Sequence, residues 1–280
     1  MVEWFTKSFQ EFSILWLLFS SVIGGLMGAS LKFVFDNLLP EKLTKKREIL
    51  TIKRKYSTPI LLAADNLRKR LVNIIKYIDR IEKEEWLRAT DTYYTQSSLY
   101  TVAQFLGWEQ ILRHEVVYLD FTDTKGSKIF EAFLTNIRRG FSQPDFLLEN
   151  PASAPEESED KWVYSFGVQS IGDAMIEKIG EKTYVKNYAA FCDNILCTSD
   201  KNLIGWLDML GKLFTNLKKA DIRFRRIVAI HCFVNSFINY SDPKHVRTEK
   251  QVFYWEYLLP EESVKIKEQI KRIAPNLVLY

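Results

Sequence analysis

The sequence predicts a mainly α-helical protein: one N-terminal transmembrane helix followed by a cytosolic multi-helix bundle with at most a short β element. Three observations carry this. Residues 12–31 are an uncharged apolar run. Apolar residues downstream recur at three- and four-residue steps. Only WVYSF at 162–166 alternates in the manner of a strand.

The apolar run FSILWLLFSSVIGGLMGASL holds 20 residues from Phe12 to Leu31. At about 1.5 Å per residue it reaches about 30 Å, the thickness of a bilayer's hydrocarbon core. Trp4, Phe5 and Trp16 sit toward one end and Phe33 and Phe35 toward the other, as interfacial aromatic belts require. A cleaved leader fits less well: the start carries Glu3, Lys7 and Glu11, and Ala29-Ser30-Leu31 is a poor cleavage site. Between Glu41 and Lys55 lie seven cations (Lys42, Lys45, Lys46, Arg47, Lys53, Arg54, Lys55) against Glu41 and Glu48. The positive-inside rule places this flank in the cytosol and the N-terminus outside, in a plasma (inner) membrane. Each cation near anionic lipid headgroups contributes about 1 kcal/mol. Gly24 and Gly28 form a GxxxG pair, and Ser21, Gly25 and Ala29 a second row of small residues. Such rows let two helix backbones approach in lipid, so a homo-oligomer is expected. The organisation read from this is a tail and transmembrane helix over 1–34, a basic juxtamembrane segment over 35–57 and a helical soluble domain over 58–280.

In that domain Thr58-Pro59 has the chemistry of a helix start. Leu61, Ala64, Leu67, Leu71, Ile74, Ile75 and Ile78 mark one apolar face, which leaves Asp65, Arg68, Lys69, Arg70, Lys76 and Arg80 mostly to water. A second helix is expected over 92–119. Ser127 caps a third, with Phe130, Phe133, Leu134 and Ile137 inward and Gly140 at its end. The acidic, proline-rich stretch 142–161 reads as an exposed loop or a boundary between two subdomains. Helices follow at about 200–217, 220–240 and 260–273.

Outside the basic segment the charge is about neutral, which excludes the footprint of a general DNA-binding protein. Cys192, Cys197 and Cys232 lack the spacing of a zinc site or a disulfide framework, and neither metal nor cofactor is expected. No phosphate-binding glycine loop, HExxH or GxSxG occurs, and the only histidines are His114, His231 and His245.

Within RFRRIVAIHCF, Arg226 and His231 make an RxxxxH. This is similar to the motif of HEPN-type ribonucleases, helical proteins in which such a pair acts across a dimer interface. The resemblance implies metal-independent RNA cleavage, with the histidine moving a proton and the arginine offsetting phosphate charge. Ile227 stands where that motif usually has a polar residue. His231 also falls in step with Ile227, Ile230, Val234, Phe237 and Ile238, the pattern of a core histidine, and the core reading leads. Lys218, Lys219, Arg223, Arg225 and Arg226 form a second basic patch at a helix start. Tyr93, Tyr94, Tyr100, Trp108 and Tyr118 are expected in the core, with a pocket lining as the alternative. The expected function is a non-enzymatic, membrane-anchored interaction or oligomerisation module. A tethered ribonuclease of defence or toxin type is the first alternative. The second is a pore or signalling subunit, with Ser13, Ser20, Ser21 and Ser30 toward a lumen.

Overall fold

The computed structural model describes residues 13–33, 39–89, 91–116, 125–147, 162–249 and 252–279. Side chains are described at 21–30, 32, 33, 44, 47 and 51, and throughout the described residues from Lys55 on. The chain divides into two units, Met1–Ile52 and Lys53–Tyr280.

In the first unit α1, Ser13–Phe33, is a single helix over most of the apolar run. Among the described residues no helix is long and apolar enough to cross a membrane.

Helix α2, Leu39–Lys76, contains Pro59 in its interior, so Thr58-Pro59 does not start a helix. An interior proline deletes one backbone hydrogen bond and crowds the preceding turn, at about 3 kcal/mol. Here Tyr56, Ile60, Leu61, Ala64, Leu67 and Leu71 are buried on both sides of it, and that packing holds the helix straight through. Helix α3, Ile78–Glu84, ends on Glu85 in the left-handed conformation. Helix α4, Tyr93–Val116, lies antiparallel to α2. The pairings run in opposite directions: Tyr56 donates to Glu115, Asn66 to Gln104, and Tyr94 to Asn73.

Helix α5, Lys125–Ser142, buries Phe130, Phe133, Leu134 and Ile137 as the sequence predicts. Its first turn begins before Ser127, and Gly140 does not end it. A Cβ at Gly140 would lie 2.5 Å from Ile230, so this glycine is a contact point with another helix. A 3-10 turn at Pro144–Phe146 follows and buries Phe146.

WVYSF is not a strand. The Val163 N–H donates to the Phe141 carbonyl, Val163 itself is buried, and α6, Ser165–Ala174, begins within the segment. The β structure comes later, as an antiparallel hairpin of β1, Ile176–Ile179, and β2, Lys182–Val185, with Ile176 opposite Val185. Gly180 in its two-residue turn has φ +60°, the conformation tight hairpins take there. A short helix α7, Tyr188–Phe191, runs into a π turn at Cys192–Leu196. Asp200 caps α8, Lys201–Lys212, and Asp221 caps α9, Ile222–Ser241. The last helix is α10, Pro260–Ile273.

Helix α9 is buried without interruption from Arg226 to Ile238, and α5, α10 and the turn at Trp255–Tyr257 pack on it. A helix enclosed on every side is a core element, so its polar residues are enclosed with it. The other main contact is α4 against α6. It is made by glycines from both helices: a Cβ at Gly172 would lie 2.9 Å from the Leu106 carbonyl oxygen, and one at Gly107 2.9 Å from the Met175 Cβ. Helices from before and after residues 142–161 thus pack directly on one another.

Asp65 and Arg68 are not wet. Both are buried in an ion pair of 2.6 Å, and Lys69 joins Asp65 from the surface side at 2.8 Å.

Two glycines test this packing in opposite directions. Gly172→Ala should lower stability in urea unfolding by about 1–3 kcal/mol, because backbone must give way to the added methyl. Gly205→Ala, in α8 with open space around its Cα, should raise it by about 0.5–1 kcal/mol through helix propensity alone.

Candidate functional site

Arg226 and His231 lie on α9, and neither is placed for chemistry on an external substrate. The Arg226 guanidinium donates to three backbone carbonyls: Gly140 and Gln143 at 2.8 Å and Pro144 at 3.1 Å. The last turn of a helix leaves carbonyls without intrahelical donors, and Arg226 serves one in the last turn of α5 and two just beyond its end. Among the described residues it makes no ion pair, and burial lowers its pKa to about 10. His231 is wholly enclosed, with the Tyr254 ring 5.5 Å away. Burial, with a smaller contribution from the Arg68 charge, lowers its pKa to about 3. An imidazole held neutral through that range does not relay protons near pH 7.

The second basic patch is dispersed by the fold. Lys219 bonds Asp79 at 3.1 Å, and its N–H meets Glu82. Arg223 bonds Asp221 and donates to the Lys212 and Thr215 carbonyls at the end of α8. Arg225 pairs with Glu262 at 3.1 Å. These three cations close helix ends and join helices, and Lys218 is exposed.

Of the small residues on α1, Ser21, Gly24, Gly25, Gly28 and Ala29 are all exposed, and a Cβ at any of the three glycines would meet nothing within 4 Å. Val22, Ile23, Leu26, Met27 and Phe33 on the same helix are exposed too. In the basic segment Arg47 and Lys55 are exposed. The side chains of Lys42, Lys45, Lys46, Lys53 and Arg54 lie outside the described residues.

The tyrosines divide. Tyr94 is largely enclosed, under the Arg70 guanidinium 4.8 Å from its ring. Tyr93 is 71% exposed, and Tyr100 is half-buried. Tyr118 lies outside the described residues. Tyr93 and Tyr100 line a groove of about 460 Å³ between α2 and α4, closed on one side by Tyr188 of α7. Its walls are matched stripes: Asn66, Lys69, Arg70 and Asn73 on α2, and Tyr93, Ser97, Tyr100, Thr101 and Gln104 on α4. Steps of three and four residues put each set on one helix face. The walls are cross-braced, since Asn66 donates to Gln104 and the Tyr94 hydroxyl to Asn73, each at 3.1 Å, while Gln104 donates along α4 to the Tyr100 hydroxyl at 3.1 Å. The Tyr188 ring meets Tyr100 and Tyr93 edge-on at 5.3 and 6.2 Å. Burial pushes the Tyr94 and Tyr100 hydroxyls above the ordinary phenol range, so both stay neutral near pH 7. The cue in the sequence was these two polar stripes, each beside an apolar one.

Among the described residues the three cysteines are unpaired, and no group of side chains is arranged to hold a metal ion. Comparison of the chain with family models, with curated proteins and with solved structures finds no match.

The burial of His231 has a measurable consequence. Its folded pKa of about 3 lies below the ordinary 6.5, so between those values the unfolded chain binds the extra proton. Stability therefore falls as pH drops below about 6.5, by about 2 kcal/mol on reaching pH 5 from this residue alone. In His231→Leu that part of the slope should vanish while helical circular dichroism at pH 7 is kept. A pH profile identical to that of the unsubstituted protein would reject the neutral buried imidazole.

Proposed function

We propose that this chain is a membrane-anchored helical interaction module, non-enzymatic and self-associating, with its larger unit on the cytosolic side of a plasma (inner) membrane. The observation that carries the reading is α1. From Ser21 to Phe33 it bears Val22, Ile23, Leu26, Met27 and Phe33 exposed, with no charge before Lys32. Apolar side chains exposed in such a run mark a surface that belongs in lipid or against a partner. The sequence extends the apolar run back to Phe12, giving 20 residues, a bilayer's length. The cations from Lys42 to Lys55 then sit where anionic headgroups attract them, which orients the chain. Small residues open along α1 suit a homo-oligomer joined helix to helix. The non-enzymatic reading rests on Arg226 and His231, which are engaged in or enclosed by the core.

The test is fractionation of the full-length protein. It should stay with membranes through carbonate extraction, and Gly24→Leu combined with Gly28→Leu should shift its detergent-solubilised population toward the monomer in light scattering. Recovery of the unsubstituted protein in the detergent-free soluble fraction would reject the anchor. An unaltered size distribution in the double variant would reject the glycine contact.

A further inference from the structure

The groove between α2 and α4 is a built feature that the anchoring reading leaves unused. Its volume of about 460 Å³ falls in the range of small-ligand sites, about 300–1,000 Å³. Lys69 and Arg70 line it, and no carboxylate does. Lys69 shares its charge with Asp65. Arg70 makes no ion pair among the described residues and rests on the Tyr94 ring. A guanidinium fixed on an aromatic ring keeps its donor fork in a set plane, the geometry that suits phosphate. Tyr93 is an aromatic side chain left 71% exposed at the edge of the groove, with Tyr188 beside it. Both offer rings to a planar ligand. Asn66, Asn73 and Gln104 supply amide donors and acceptors held in order by the cross-bracing bonds.

We propose that this groove binds a nucleoside monophosphate, with the phosphate on Arg70 and Lys69, the base against Tyr93 and Tyr188, and the amides reading its polar edge. A single nucleotide suits it better than a nucleic-acid strand. A strand needs a continuous basic track, and the cations clustered at the start of α9 do not supply one: Lys219, Arg223, Arg225 and Arg226 are spent on carboxylates and helix ends. The cis-acting parts of the site come from helices far apart in sequence, so an occupant would tie α7 to the α2–α4 pair.

The experiment is calorimetric titration of the full-length protein in detergent with AMP, GMP, CMP and UMP, with the matching nucleosides and inorganic phosphate as comparators. At least one nucleotide should saturate the protein, and its nucleoside and inorganic phosphate should each bind at least tenfold more weakly. Tyr93→Ala should weaken the nucleotide by roughly 5- to 100-fold, the range of one stacked base. Arg70→Gln should weaken it about tenfold or more while leaving the nucleoside unaffected. Tyr93 is mostly exposed, so its variant stays informative even where Arg70→Gln unfolds. Absence of nucleotide binding at millimolar concentration overturns the proposal. So does binding indifferent to Tyr93→Ala, inorganic phosphate binding as tightly as the nucleotide, or single-stranded RNA binding more tightly than any mononucleotide.

Discussion

The larger unit depends on how α9 is enclosed, and that rests on Arg226. The end of α5 comes so close to α9 that Gly140 has no room for a side chain against Ile230. That approach also buries the Gly140 carbonyl, whose helical partner four residues on would be Pro144, which has no N–H, and half-buries the Gln143 and Pro144 carbonyls. An unsatisfied buried carbonyl is worth about 1–3 kcal/mol against the fold. One guanidinium reaching from α9 serves all three. The close packing and the cation therefore act together. Arg223 repeats it at the end of α8 with the Lys212 and Thr215 carbonyls.

This is why the arginines misled as a sequence pattern. RFRR at a helix start reads as exposed charge, because the sequence does not show that two other helices end there. The same blindness covers Asp65 and Arg68: three residues apart, they resemble a surface pair, and only the packing over them makes them interior. By contrast, the apolar faces of α2 and α5 were legible, since each records a buried stripe, and helices were expected about where α4, α8, α9 and α10 lie. The hairpin was not. Its strands are four residues long and mostly exposed, so they carry no strong alternation, and Gly180 was the one firm cue. WVYSF has strand-like composition, but the pull of Val163 into the core beside α5 and the start of α6 decide its conformation.

The groove was half legible. Tyrosines at helical spacing fit either a core or a lining, and spacing alone favours the core. What distinguishes them is the partner helix. α2 and α4 run antiparallel, each with an apolar stripe inward and a polar stripe beside it, so the two polar stripes face across a shallow cleft. Asn66 with Gln104 and Asn73 with Tyr94 hold the cleft's sides in register. Side chains positioned this way are ordered before anything binds, which lowers the entropy a ligand must overcome.

The polar residues inside α9 set a limit on how stable this arrangement is. His231, Asn235 and Asn239 follow at four-residue steps, and the His231 ring nitrogens, the Asn235 amide and the Asn239 carbonyl oxygen have no protein partner among the described residues. Replacement of such groups by apolar ones of similar shape is commonly neutral or favourable. Apolar residues at His231 and Asn235 would therefore strengthen the core, because both lie where α9 is already surrounded. The chain instead keeps an interior whose stability falls with pH through His231 and whose central helix carries unused hydrogen-bonding capacity. Charged groups close that helix at both ends: Arg223 and Arg226 at one, and at the other Asp242, whose carboxylate accepts from the N–H groups of Val246, Arg247 and Thr248. The helix is thus pinned at its two ends and less well satisfied in its middle.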